Sequence, residues 1–519
     1  MRARDRVAAE LFDVGEDFRR AVVHRHAMDQ RPFLDLMDEF PEFTFIRGEA
    51  AIYEHIERHD PPTFRRIQRA VRAGRWDIVG GTFIQPDTNL PATETFLRHF
   101  IRGQNYFQKK FNRTPTVAWA ADSFGHTGGL PDILVAAGMK GFVFTRPAEP
   151  QCHLPAPVFH WEGVGGGRVV AYRPPDGNYL TERDEMPVRL DLCVAGAQRH
   201  KLAHVACFYG LGNHGGGSTR RHLLEIREWS ARHPEVRVVH SGLHRLIAAV
   251  TRKDLPVHRG EMNYCNRGCY SSAARLKFAY RKAEALVSRA ETTDTAISAA
   301  LGLKPQDLSE AWDAVLFNSF HDILPGSSIE RGLEDQLQWV NAALFQSQRA
   351  ELDALNKLAA QVDTTVPAAT GDKPTAVPFL VWNPHPHIYN GHVELEAALD
   401  YRPLFPYQNH PDEIPVEVRA GNHRLPFQIV DHEHNFYPRR YPWRKRVVVP
   451  VQLPAMGWNV ISVGYVEGAA NPPRRPVAIP ARVRRDEIVL WGKVRLSAVT
   501  VEDPWGSWGG VEEEQIGRA

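Results

Sequence analysis

An α/β domain built on a parallel sheet, followed by a helical bundle and a β-rich C-terminal region, is the fold class this sequence predicts. Three features of the chain carry that expectation. Short apolar runs alternate with helix-spaced segments from Phe43 to Tyr209, which is the pattern of parallel strands with helices outside, open or closed as a barrel. Leu276, Tyr280, Ala283, Val287 and Ala290 recur at helical spacing, and two further helical segments follow, as bundle packing requires. After residues 363–377, a Pro/Thr/Ala-rich linker, turn formers arrive at short intervals among strand-like runs.

Length and composition bound the rest. A chain of 519 residues exceeds one core, and about three domains is the expectation. Charged residues are 24% and net charge is +2, which implies no polyanion partner and hence no nucleic acid. No run approaches about 18 apolar residues, so no transmembrane helix or membrane partner is expected. The N-terminal MRARDRVAAELFDVGEDFRR lacks an apolar signal core. Five cysteines, an odd number without a CxxC pair, suit a reducing cytoplasm better than a disulfide framework. Composition leaves a homo-oligomer open.

The elements follow in order. Helices are expected at Pro32–Glu39, Glu49–Arg58 and Thr63–Arg75, with a strand at Phe43–Ile46 and Gly74 near the third helix end. Asp77–Ile84 reads as a strand and Pro86–Pro91 as a loop. Thr93–Phe107 is a helix with Thr93 as N-cap. Val117–Ala121 is a short apolar strand, broken by DSFGHTGG; Leu130–Ala137 is helical, Gly138 suits its C-terminus, and Gly141–Thr145 is the next strand. Strands are also predicted at Val158–Trp161, Arg168–Tyr172 and His204–Tyr209, and a charged, outward-facing helix at Arg220–Arg232. Further helices run to about Leu301, over Asp307–Phe317 and to about Val362; Lys445–Leu453, Trp458–Val466 and Val483–Leu490 look like strands.

Asp122 therefore stands at the C-terminal mouth of a strand, where α/β folds build sites; the competing role is an N-cap for the next helix. Asp87 and Asn89 are either substrate contacts or plain turn residues. FYGLGNHGGGSTR ends a strand in a glycine-rich loop without the Lys-Ser/Thr of a P-loop. His321, followed by Asp322 and a Pro-Gly turn, is placed to hold a metal with Asp322 as its orienting neighbour. Glu261 and Arg267 would form a buried structural pair or, with Tyr270, face a ligand.

Four ordered segments carry a resemblance. Gly74–Phe107, AWAADSFGHTGGLPDIL, GExxxxxRGCYSS from Gly260 and HDILPGSSI from His321 resemble glycoside hydrolase family 38 α-mannosidases of bacterial type. The resemblance implies a seven-stranded β/α barrel, a three-helix bundle and a partial β-sandwich, hence domains at 1–255, 256–362 and 378–519 with the linker between. It implies retaining hydrolysis of terminal α-mannosides of glycans or oligosaccharides, with Asp122 as both nucleophile and zinc ligand, His321 as a second ligand, and one Zn2+ per chain. Asp87, Asn89, Tyr209, Asn213, Arg267 and Tyr270 would contact substrate. Trp119, Phe124 and Trp161 are sugar-facing candidates, with core packing the alternative for each. Some relatives carry an acid where this chain has Asn213; an amide cannot donate a proton as a carboxylic acid does, so either the acid lies elsewhere or His214 substitutes for it. The family's His-x-Asp zinc ligands near the first strand have no counterpart: His24, His26 and Asp29 are at the wrong spacing. The resemblance thus implies a chain truncated at both ends, its first barrel strand missing. Two rival readings are a family member that binds carbohydrate without turnover, and a metal-dependent carbohydrate deacetylase, which needs a second His at helical spacing.

Overall fold

The computed structural model describes residues 30–497, apart from 178, 183, 212–216, 264, 367–375, 401–403, 405, 407–415, 431–443, 466–480, 485–486 and 491–493. The chain divides into two compact units. One runs to Val287 and takes up Ser309–Phe345; the other holds Ser288–Leu308 and Gln346–Val501.

In the first unit, α1 (Gln30–Glu39), β1 (Phe45–Arg47), α2 (Ala50–His59), α3 (Pro61–Arg72) and β2 (Trp76–Ile78) form in sequence. Asp60 caps α3 by accepting from the Thr63 N–H. β2 pairs in parallel with β1 but stops after three residues, not at Ile84 as expected. Gly80 and Gly81 take φ of 76° and 78°, a region closed to strands, and turn the chain out of the sheet. The next helix, α4 (Thr93–Phe111), has Ala92 at its N-cap with no side-chain cap bond; Thr93 is already helical, which corrects its expected role.

β3 (Val117–Ala120), α5 (Leu130–Ala136), β4 (Gly141–Phe144), β5 (Val158–Glu162), β6 (Arg168–Tyr172) and β7 (Val257–Arg259) supply a five-stranded sheet of order β3-β4-β6-β5-β7. Both faces of this sheet are buried. Ala118, Ala120, Phe142, Phe144, Phe159, Trp161, Val169 and Ala171 join one core cluster, while Val117, Val143, Val158, Val170 and Tyr172 join another. Strict alternation between the two is the period of a strand, and two covered faces explain the near-continuous apolar runs. The seven strands fall into two sheets of mixed α/β architecture, and β5 runs antiparallel to β6, against the all-parallel expectation. His204–Tyr209 is not a strand; an isolated bridge joins Thr181 to Gly210 beside it. The remaining helices are α6 (Met186–Arg199), α7 (Arg220–Arg232) and α8 (Leu243–Val250). α7 is amphipathic, not outward-facing, because it buries Leu223, Ile226 and Trp229.

Three helices follow: α9 (Ala274–Ala300), α10 (Ser309–Asn318) and α11 (Glu330–Ala359), and the division between units falls inside α9 and α11. Within the second unit, Ile297, Ala354 and Leu358 pack with Leu380 and Trp382. A four-stranded sheet and a three-stranded sheet share one core there, built from Leu395, Val447 and Val449 on one side and Val418, Ile461 and Val463 on the other. This is sandwich packing. The expected strand Val483–Leu490 is two strands, Ala481–Arg484 and Glu487–Leu490, paired antiparallel.

Candidate active site

Two parallel strands in register create the site. Ala120 of β3 pairs with Phe144 of β4, so Asp122 and Arg146, each two residues past its strand, reach equivalent places on neighbouring strand ends. Arg146 forms an ion pair with Asp122 Oδ1. The Tyr179 hydroxyl donates to Asp122 Oδ2 at 3.1 Å, and the Asp122 main-chain N–H donates to Gln85 Oε1 at 3.4 Å. Asp122 is not a helix cap, since α5 begins at Leu130 with Gly129 before it. Its carboxylate opens into a cavity of about 1740 Å³ lined also by Gln85, Trp119, Tyr179, Tyr209 and His321. Burial, then the Asp122 carboxylate, pushes the Tyr179 hydroxyl up to about 12. Burial opposes the charge on Arg146, but Asp122, Cys265 and Tyr179 together hold the guanidinium above its ordinary value.

Gln85 connects this carboxylate to His321. The Gln85 main-chain carbonyl accepts from His321 Nδ1 at 3.0 Å. A carbonyl only accepts, so Nδ1 carries the proton and a neutral ring keeps Nε2 as its acceptor. Asp322 is not the orienting neighbour that was expected. Its Oδ2 lies 3.9 Å from His321 Nε2, beyond hydrogen-bond range, whereas the carbonyl beside Nδ1 fixes the ring.

Asp87 is fully buried. It accepts from the Asn89 and Leu90 N–H groups at 2.9 and 2.7 Å and from the Tyr270 hydroxyl at 2.8 Å. Burial raises its pKa against those bonds. Asn89 Nδ2 donates to the Tyr270 hydroxyl and to the Gly125 carbonyl, and Thr88 donates to that same carbonyl while sharing a bond with His126 Nδ1. Gly125 sits at φ 95°, where an added Cβ would lie 2.6 Å from the Met262 carbonyl oxygen. Asp87, Asn89 and Tyr270 thus latch two loops behind Asp122, and none of the three lines the large cavity. Arg267 and Glu261 are exposed, which corrects the buried-pair alternative; they line a separate hollow of about 530 Å³. Tyr209 shares a bond with His240 Nδ1 at 3.1 Å. Phe124 and Trp161 are core residues, while Trp119 reaches the cavity and packs on Phe208. Asn213, His214, His24, His26 and Asp29 lie outside the described residues.

Gln85, Arg146 and Tyr179 were missed by the sequence reading. Arg146 had a signal: its offset from β4 equals that of Asp122 from β3. Tyr179 sits in a loop with no pattern to betray it.

A catalytic zinc takes three protein ligands. The His321 tautomer is that of a metal-binding histidine, but Asp122 already meets Arg146 and Tyr179. No group of three His, Cys, Asp or Glu among the described residues is placed to hold a metal. The described donors therefore do not make up a zinc site, nor the metal centre a deacetylase would need. Among the described residues no helix is long and apolar enough to cross a membrane.

Comparison with known proteins matches the chain to glycoside hydrolases. Residues 22–264 match the glycosyl hydrolases family 38 N-terminal domain, and residues 265–362 match the alpha mannosidase middle domain. Alpha-mannosidase G of Dictyostelium discoideum is 28% identical over 338 residues, 62% of this chain and 30% of the relative. Human alpha-mannosidase 2C1 is 29% identical over 311 residues, 59% of this chain and 30% of the relative. The matched stretch thus spans under a third of these relatives. The crystal structure of an alpha-mannosidase from Enterococcus faecalis V583 superposes with a TM-score of 0.64 at 18% identity, over 90% of this chain and 57% of that one; at that identity it speaks for the fold alone.

Proposed function

Because this chain belongs to glycoside hydrolase family 38, we propose that it is an α-mannosidase acting on terminal α-mannosides of glycans or oligosaccharides, by a retaining mechanism with Asp122 as nucleophile. One observation carries this reading: a carboxylate at the C-terminal end of a strand opens into a large cavity between a guanidinium and a phenol. Asp122 attacks the anomeric carbon, the glycosidic bond breaks, and the leaving oxygen takes a proton from a second group. Arg146 and Tyr179 hold the attacking carboxylate in one orientation and limit the positions it must search. Water then releases the sugar with the second group acting as base. The resemblance puts that group in the glycine-rich loop holding Asn213 and His214. A second reading, carbohydrate binding without turnover, draws on Asn213, whose amide donates no proton as an acid would.

Release of p-nitrophenol from a p-nitrophenyl α-mannoside tests both. Turnover by the wild type, lost by on the order of 10⁴-fold in Asp122→Asn, is the expected result. Binding of mannose without turnover would replace the hydrolase reading with the second one.

A further inference from the structure

Two thiols that the reaction leaves unused meet in the wall of the same cavity. Cys193 lies on α6, one turn past Arg189, and is 1% exposed. Its Sγ lies 3.7 Å from the Ala206 carbonyl oxygen and 3.7 Å from Asp176 Oδ2. Cys207, the next residue after Ala206, is half-buried and packs into the cluster of Met186, Leu190 and Trp229. The Ala206 carbonyl that Cys193 Sγ approaches belongs to the peptide bond leading into Cys207, and both thiols line the cavity. Asp176 in turn pairs with Arg189 at 3.2 Å.

We propose that Cys193 and Cys207 form a redox-responsive pair that hydrogen peroxide converts to a disulfide, tying α6 to the segment that carries Phe208 and Tyr209. The two thiols have different parts. Cys207 is the accessible one and attacks peroxide. Its sulfur takes one oxygen as a sulfenic acid while the O–O bond breaks and water leaves. Cys193 is the resolving thiol. Nearby Cys207, burial and the Asp176 carboxylate all favour its protonated form, so it waits as a thiol and passes its proton toward Asp176 only as it attacks. The S–S bond then forms, the S–OH bond breaks, and hydroxide leaves as water with that proton. Two thiols and one peroxide give one disulfide and two waters.

The link has a route to the cavity. Phe208 follows Cys207 directly and packs on Trp119 with ring centroids 5.1 Å apart, and Trp119 belongs to the strand that presents Asp122. Cross-linking fixes this wall to α6.

Peptide mapping of the full chain after brief treatment with hydrogen peroxide tests the pair independently of turnover. The chain is expected to lose two of its five thiols, to yield a Cys193–Cys207 linked peptide, and to recover both thiols with dithiothreitol. Cys152→Ser should still form the link. Five thiols remaining, a link between Cys265 and Cys269, or a sulfinic acid at Cys207 beside a reduced Cys193 would each overturn the proposal. The wild-type map alone decides it, so a variant that fails to fold does not confuse the outcome.

Discussion

Asp87 and Asp122 occupy neighbouring loops and meet opposite surroundings. Asp87 is fully buried and bound only by neutral donors: two main-chain N–H groups and a phenol. Asp122 is one-fifth exposed, faces a large cavity, and meets a guanidinium. Burial among neutral dipoles makes a carboxyl group a structural tie, because every oxygen lone pair in use is one that cannot serve a substrate. A matched cation beside open space leaves a carboxylate available for chemistry at its unfilled side. Residue type and turn context are the same for both, so the environment separates their roles.

Arg146→Met gives the sharpest challenge to this contrast. It leaves Asp122 with the Tyr179 hydroxyl and the Gln85 amide contact, a setting closer to that of Asp87. Hydrolysis of the p-nitrophenyl mannoside should fall by about 10²- to 10³-fold in kcat/KM, the usual size of a lost electrostatic partner in an active site, while Met keeps the packing of the arginine stem. Unchanged kcat/KM would mean that the guanidinium only fills space beside Asp122.

Asp87→Ala comes next. It strips the partner from two main-chain N–H groups and from Tyr270, and leaving buried donors unsatisfied costs about 1–3 kcal/mol. The midpoint of urea unfolding of the first unit should drop, with kcat per folded molecule within about tenfold of wild type. A stable variant without activity would place Asp87 in the chemistry and erase the distinction.

The strand–loop–helix–strand pattern around Asp122 was readable because each element is short, apolar and closed by glycine or polar residues. The same local signals located α7, α10 and the alternating strand Arg444–Leu453. Long-range pairings were not readable. Tyr179 reaches Asp122 across 57 residues, and no spacing rule connects them. By its alternation alone the hairpin of β5 and β6 reads as two more parallel strands, whereas the pair is antiparallel. Its signal was the run Gly163–Val164–Gly165–Gly166–Gly167, whose Gly165 and Gly167 N–H groups donate to Asp132; so short a glycine-rich link leaves no room for a crossover helix. His321 was found by its motif, yet its orienting partner is a main-chain carbonyl 236 residues away, and a carbonyl leaves no trace in a sequence. Asp87 illustrates the same limit: Asp in a Pro-Asp-Thr-Asn turn reads alike whether Tyr270 covers it or solvent does.

The smallest expected effect isolates the proton on Asp87. Burial raises its pKa in the folded chain above the ordinary carboxylate value, near 3.9 in an unfolded one. Between those two values the folded state binds the extra proton, so this group's contribution to stability falls as pH rises through the interval. His99 and His126 act in the opposite direction: burial lowers both from 6.5 to about 3, so the stability of their neutral folded forms is full above 6.5 and is lost as pH falls toward 3. A single pH–stability curve mixes the two slopes. Asp87→Asn separates them, since Asn keeps an acceptor for the two main-chain N–H groups and offers its amide to the Tyr270 oxygen, while both histidines stay in place. Urea midpoints of wild type and Asp87→Asn measured from pH 4 upward should therefore converge in acid. The wild type should then lose ground to the variant by up to about 1.4 kcal/mol per pH unit while Asp87 titrates. Parallel curves would mean that Asp87 carries the same charge folded and unfolded, and that what separates it from Asp122 is access to the cavity alone.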